Sequence, residues 1–78
     1  MSTLLRLPIV SAESGLSKTT IYARIADGTF PPPVKLGPRA VAWPAHEIAA
    51  CNDAVIRGAN QEAVRTLVKE LVTRRAAG

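Results

Sequence analysis

The sequence predicts a mainly helical fold with a small β-hairpin, a helix-turn-helix and a C-terminal amphipathic helix. Three observations lead to this fold class. Glycine and proline divide the 78 residues into short segments. Apolar residues recur at helical spacing before and after the middle of the chain. Three consecutive prolines precede two short β-compatible runs that flank Gly37. A chain of this length forms one domain with a modest core.

The first two predicted helices are separated by a short turn. Proline suits the first helical turn, and glycine suits the left-handed position after the last, so the first helix spans about Pro8 to Ser14, before Gly15. Ser17 is a good N-cap for a second helix, which runs to about Ala26 and ends at Gly28. Two helices joined in this way form a helix-turn-helix pattern.

Each of these helices has residues that are predicted to face the core. Ile21 and Ile25 lie one turn apart and therefore share a face of the second helix. Leu7 and Val10 are the corresponding inward candidates in the first.

A β-hairpin is predicted within residues 29–43. The three prolines at 31–33 exclude a helix and impose an extended backbone. Val34-Lys35-Leu36 and the run 40–43 then form two strands around the loop Gly37-Pro38-Arg39. Two short strands are not stable alone, so we expect the hairpin to pack on the helices.

Two further helices complete the prediction. The third starts near Pro44 and Ala45 and ends at Gly58. The fourth covers residues 61–76, with Asn60 as its N-cap. The apolar residues at helical spacing in the third helix are Ile48, Cys51 and Val55, with Ile56 as a further candidate. The apolar stripe of the fourth consists of Val64, Leu67, Val68, Leu71 and Val72.

The chain is therefore divided into a winged helix-turn-helix domain at residues 1–58 and a C-terminal helix at residues 59–78. That helix either completes the core of the monomer or forms a homodimer through its apolar stripe. Dimerisation is slightly preferred, because two-fold symmetry suits palindromic half-sites. Sedimentation as a monomer at high concentration would contradict it.

The charge distribution favours a polyanionic partner, nucleic acid first and an acidic membrane surface second. The net charge is +4 and the isoelectric point is about 10.0. Residues 17–39 contain four basic residues and a single acid, Asp27, whereas residues 44–78 contain five bases and four acids. The excess charge thus lies in the middle of the chain. A generically basic soluble domain is the alternative explanation.

The second helix has the properties of a DNA recognition helix. At 100° per residue, Thr19 and Ala23 lie opposite Ile21 and form a slim face that can approach the floor of a major groove. Cations on a tight loop are well placed to contact phosphate or to enter a minor groove. The candidate DNA-binding residues are Ser17, Lys18, Thr19, Thr20, Tyr22, Ala23, Arg24, Lys35, Pro38 and Arg39. The alternatives are ordinary helix capping, packing of Tyr22 on the core, and a solvated turn.

The residues give little support to an enzyme. Cys51 is the only cysteine and His46 the only histidine, so a disulfide within the chain or a cysteine zinc site is ruled out. These two residues are poorly placed to form a nucleophilic pair, and Cys51 is predicted to be a small buried hydrophobe. We expect no catalytic residues, metal or cofactor. The first ten residues do not form a signal peptide, and no apolar run is long enough to span a membrane, which predicts a cytoplasmic, nucleoid-associated protein.

Residues 4–50 resemble the AlpA family of phage and prophage regulators, which belongs with the MerR-like winged helix-turn-helix proteins and the phage excisionases. The matching segments are Leu7-Pro8, Gly15-Leu16-Ser17, Thr20-Ile21-Tyr22, Asp27-Gly28-Thr29-Phe30-Pro31, Pro33-Val34-Lys35-Leu36-Gly37, and Arg39-Ala40-Val41 with Trp43. The resemblance implies a recognition helix at Ser17 to Ala26, a wing at Lys35 to Arg39, and core anchors at Phe30 and Trp43. The sequence departs from many relatives in having Ala23 directly after the tyrosine and Pro38 in the wing.

Three functions follow as hypotheses. The first is a sequence-specific transcriptional regulator of the AlpA type. The second is an excisionase-like directionality factor, and a gel assay of DNA bending separates it from the first. The third is a protein-interaction module that does not bind DNA. The expected partners are double-stranded DNA, a second copy or a cooperative multimer on DNA, and RNA polymerase or a recombinase. No membrane partner is expected.

Overall fold

The structure, a computed structural model, describes residues 3–77 and confirms the mainly helical fold with its small hairpin. The elements in chain order are β1 (Leu4–Leu5), α1 (Leu7–Ser14), α2 (Lys18–Asp27), β2 (Val34–Lys35), β3 (Val41–Pro44), α3 (Ala45–Ile56) and α4 (Gln61–Ala77). None of the helices within residues 3–77 has the length and apolar character needed to cross a membrane.

The helix-turn-helix is fixed by the predicted capping residues. Gly15 ends α1 with a φ of 72°, and Gly28 ends α2 with a φ of 83°, both in the left-handed region that glycine favours. At the start of α2, the Ser17 hydroxyl oxygen accepts a hydrogen bond from the Thr20 backbone N–H at 3.2 Å. Both boundaries of α2 therefore follow from local sequence.

The hairpin is present and belongs to a three-stranded antiparallel sheet in the order β1-β3-β2. Val34 pairs with Ala42 and Lys35 with Val41, so the register matches a loop centred on Pro38. The third strand, β1, pairs its two residues with Pro44 and Trp43. It is absent from the sequence prediction, because two leucines are too short a segment to show alternation.

One core cluster joins the helix-turn-helix to the sheet and α3. Its buried members are Val10, Ile21, Phe30, Trp43 and Ile48. They come from α1, α2, the segment before the hairpin, β3 and α3, so each of these parts depends on the others for burial. Leu7 and Ile25 pack at its margin, as the helical spacing predicts.

Two of the apolar residues at helical spacing in α3, Val55 and Ile56, are not part of its buried side. Their side chains are 64% and 82% exposed, while Cys51 and Ala54 are buried. The buried side of α3 faces α1, β3 and α4. At its C-terminal end, the side that carries Val55 and Ile56 faces an open cavity, so their apolar spacing is not matched by a packing partner.

Helix α4 packs against α3 and forms a second small cluster. Cys51, Val68 and Leu71 are buried there, with Val64 and Leu67 partly covered. Two members of the predicted apolar stripe are thus inside this chain and unavailable to a partner in this conformation. Val72 is the exposed member of the stripe.

Candidate nucleic-acid interface

The outward face of α2 is small and open to solvent. Because Ile21 is buried, the residues about 200° away, Thr19 and Ala23, point outward, and both are exposed. Ala26 is exposed on the same side one turn later. A helix with such short side chains on its outer face can come close to base edges in a major groove.

The hydroxyl groups in the first turn of α2 have different roles. The Ser17 hydroxyl donates to Thr20 Oγ1 at 3.0 Å while its oxygen caps the helix, so these two groups satisfy each other. Within residues 3–77 the hydroxyl of Thr19 makes no hydrogen bond. Of the hydroxyls in this turn, that of Thr19 is therefore unbonded and exposed, whereas Ser17 and Thr20 chiefly define where the helix begins.

Tyr22 connects α2 to the sheet. Its ring meets the ring of Trp43 edge to face, with centroids 6.3 Å apart and an interplanar angle of 70°. The Tyr22 side chain is nevertheless 40% exposed. One side of Tyr22 thus packs on Trp43, as expected if the residue has a structural role. The rest of its side chain faces solvent, as a DNA contact requires.

The base of the wing is held by Trp43. This side chain is fully buried, and its Nε1–H donates to the Pro31 carbonyl oxygen at 2.9 Å. The same residue contacts Tyr22 on α2. Trp43 thus fixes the start of the hairpin relative to the helix that carries the outward face.

The wing itself, residues 35–39, is closed by backbone hydrogen bonds and carries its charges outward. The Leu36 N–H donates to the Ala40 carbonyl oxygen at 2.8 Å, and the Gly37 N–H donates to the same oxygen at 3.3 Å. The three predicted contact residues of the wing are all exposed: Lys35, Pro38 and Arg39.

The ten cations of the chain differ in whether they form an ion pair. Within residues 3–77, four exposed cations on α2 and the wing make no ion pair: Lys18, Arg24, Lys35 and Arg39. Four arginines on and after α3 each pair with a carboxylate: Arg57, Arg65, Arg74 and Arg75. Arg6, before α1, and Lys69, on α4, are also exposed and make no ion pair within the described residues. Four of the six unpaired cations therefore lie on the elements that were predicted to contact DNA.

The single acid of the basic segment is itself neutralised by α4. Arg65 Nη2 lies 3.1 Å from both carboxylate oxygens of Asp27, and its Nε–H donates to the Asp27 backbone carbonyl. The pair is partly exposed, so it adds little stability. It does offset the only negative charge on α2. Residues 38 positions apart form this pair, and no local sequence signal predicts it.

Arg24 lies on the other flank of α2 from Tyr22. It borders an open cavity of about 650 Å³ between the C-terminal ends of the first three helices and the start of α4. Val55 and Ile56 line the same cavity. Arg24 thus lies on the side of α2 that faces this cavity and not on the side where Tyr22 contacts the sheet.

Comparison with known sequences shows which family this chain is similar to. The family described as "Prophage CP4-57 regulatory protein (AlpA)" matches residues 3–50, from β1 into the first half of α3. The chain belongs to the AlpA family. A protein of Enterobacteria phage P4, "Uncharacterized protein ORF88", is 50% identical over 46 residues, which are 59% of this chain and 52% of that protein. The chain thus matches about half the length of this relative. No solved structure matches the chain.

The AlpA family is a phage regulatory family, and this chain belongs to it. All ten predicted DNA-binding residues lie inside the matched range, whereas α4 lies outside it. The two ion pairs of Arg65 and Arg75 therefore join a segment outside the family match to residues within it.

Cys51 has the properties of a packed hydrophobe. It is buried between α3 and α4. Burial, together with the nearby Glu47 carboxylate, raises the pKa of the Cys51 thiol from 9.0 to about 11. A thiol with such a pKa is about one part in a thousand thiolate at pH 8, which disfavours nucleophilic chemistry.

We expect the native protein to resist alkylation of Cys51 at pH 8. The labelling rate should increase about tenfold per pH unit until the pH approaches 11, because only the thiolate reacts. Stability linked to this group should be complete below pH 9 and decline between pH 9 and 11, since the unfolded thiol ionises first. Mass spectrometry of iodoacetamide adducts measures the rate. A C51A/A49C variant, with its cysteine at an exposed position of α3, is the reactive control. Equal labelling of the two proteins at pH 8 would contradict the buried thiol.

Proposed function

We propose that this chain is a sequence-specific DNA-binding transcriptional regulator that acts by binding rather than by catalysis. The observation that carries the proposal is that four of the six unpaired cations of the described residues lie on α2 and the wing. Cations without carboxylate partners are free to neutralise phosphates, and release of counterions then drives association. Membership in a phage regulatory family supports the same proposal.

The roles of the residues follow from their positions. Helix α2 enters the major groove, where Thr19 donates to or accepts from a base edge and Ala23 contacts a thymine methyl group. Lys18, at the start of α2, binds a phosphate near the positive end of the helix dipole. The wing places Lys35 and Arg39 on the DNA backbone, and these contacts supply affinity rather than sequence preference.

The decisive test is selection of bound fragments from the source genome with the purified chain. Enrichment of a common motif with defined spacing is the expected result, since base-edge contacts from α2 discriminate between sequences. Recovery of fragments without any common motif would reduce the proposal to non-specific binding. Recovery no greater than that with a K18A/K35A/R39A variant would refute DNA binding.

Replacing Arg39 with alanine is expected to weaken binding about fivefold to tenfold at 0.1 M salt for all sequences alike. The slope of log affinity against log salt should become less steep by about 0.9, which corresponds to one phosphate. Fluorescence anisotropy with the selected site and with a scrambled duplex measures both values.

The control for this variant is Arg57→Ala. Arg57 is exposed, but it lies at the end of α3 and pairs with Asp53. Both variants lower the net charge by one, so a local contact changes affinity only in the Arg39 variant. An unchanged salt slope for Arg39→Ala would show that the wing does not contact DNA.

A further inference from the structure

The segment that leads into the wing is held by side chains from elsewhere in the chain. Prolines 31–33 have no backbone N–H and therefore cannot donate hydrogen bonds. Their carbonyl oxygens accept instead: Pro31 accepts from Trp43 Nε1, and Pro32 accepts from Arg75 Nη2 at 2.8 Å. The first donor belongs to the sheet, and the second comes from the last turns of α4.

Arg75 is itself fixed by a buried carboxylate. Glu47 is fully buried in the first turn of α3, and its Oε2 accepts from Arg75 Nε at 2.8 Å. Its Oε1 accepts from Arg75 Nη2, the same nitrogen that reaches Pro32. The planar guanidinium thus spans two acceptors at once, an arrangement that the single ammonium of lysine reproduces poorly.

We infer that Arg75 is a positioning residue for the wing, through which α4 fixes the segment before β2. This inference rests on the proposed function of the wing as a DNA contact. A wing fixed at its base presents Lys35 and Arg39 in one orientation, so less conformational freedom is lost when DNA binds. Loss of the hydrogen bond from Arg75 to the Pro32 carbonyl oxygen leaves Trp43 as the donor that holds the segment. This loss should loosen the wing, whereas the capping of α2 should not change.

The competing explanation is that Arg75 only docks α4 on the body of the protein. The double variant E47L/R75L separates the two. Replacement of a buried ion pair by apolar residues of similar volume is often neutral or stabilising, so α4 should stay docked. The donor to Pro32 is lost in the same variant. An Arg74→Leu variant is the matched control, because Arg74 lies on the same turn but forms an exposed pair with Glu70.

The first measurement is amide hydrogen exchange without DNA. In E47L/R75L, the Leu36 and Gly37 amides should exchange about tenfold faster or more, because both close the wing through the Ala40 carbonyl. The Ile21 amide, inside α2, should be unchanged. Wild-type exchange at Leu36 and Gly37 in a folded E47L/R75L protein would overturn the inference. Because no DNA is present, this result does not depend on the proposed function.

The second measurement is a double-mutant cycle with Arg39→Ala. In the wild type this change should weaken binding about fivefold to tenfold, and in E47L/R75L by less than about twofold, because a loose wing contributes little. Additive losses would also overturn the inference. If E47L/R75L fails to fold, Arg75→Lys replaces it in both measurements, with the same direction of change expected. No loss from Arg39→Ala in the wild type would count against the proposed wing contact, and amide exchange would then decide the positioning role alone.

Discussion

Replacing Trp43 with alanine should lower the free energy of unfolding by about 3–5 kcal/mol, because the largest fully buried side chain is removed from the core. For a domain of this size, that loss lowers Tm by more than about 10 °C. Three interactions end together: packing with the core cluster, the edge contact with Tyr22, and the hydrogen bond to Pro31. Thermal unfolding followed by far-ultraviolet circular dichroism measures the change without relying on tryptophan fluorescence.

A Trp43→Phe variant divides this effect into its parts. Phenylalanine keeps a ring against Tyr22 but leaves the Pro31 carbonyl without its donor, which should destabilise the protein by about 1–3 kcal/mol. Ile56→Ala serves as the control, since Ile56 is mostly exposed and its loss should matter by less than about 0.5 kcal/mol. If Trp43→Ala behaves like Ile56→Ala, the packing described for β3 does not hold.

The parts of the fold that sequence predicts well are those fixed by neighbouring residues. The ends of α2 follow from Ser17 and Gly28, whose capping is decided within one helical turn. The hairpin follows from the prolines and from Gly37. Phe30 and Trp43, expected as core anchors from the family resemblance, are both buried. In each case the decisive information lies nearby or in a pattern shared with relatives.

The parts that sequence misses depend on contacts between distant residues. Strand β1 exists because Leu5 reaches the far side of β3 and pairs with Trp43. Helical spacing alone does not determine which side of α3 packs against α4, and Ile56 is exposed while Cys51 is buried there. The pairs of Asp27 with Arg65 and Glu47 with Arg75 join residues 38 and 28 positions apart. In the sequence alone, Arg65 and Arg75 cannot be distinguished from ordinary charged residues on the surface of a helix.

Ala23→Glu is expected to reduce DNA affinity by about a hundredfold or more, the largest effect of any single change at the interface. Ala23 lies opposite the buried Ile21, at the centre of the outward face of α2. A carboxylate placed there meets the negative potential of the groove, and like-charge contacts in an interface cost several kcal/mol. The fold should be retained, because the side chain points into solvent and glutamate is a good helix former.

Two further variants identify the cause of that loss. Ala23→Gln has nearly the same size as the glutamate variant but no charge, so it should lose only the close contact, about tenfold, with altered sequence preference. Ala63→Glu makes the same change of net charge at an exposed position in the first turn of α4. It should bind within about twofold of wild type, because screening weakens a charge that lies outside the interface.

The comparison of these three variants by anisotropy tests the orientation of the chain on DNA. A large loss for Ala23→Glu with a small one for Ala63→Glu requires the outward face of α2 to lie against the duplex. Equal losses would mean that net charge alone governs binding, as for a generically basic domain. A wild-type affinity for Ala23→Glu would remove α2 from the interface altogether and leave the wing cations as a non-specific contact. In the proposed function, sequence recognition therefore depends on the slim face of α2 that is centred on Ala23.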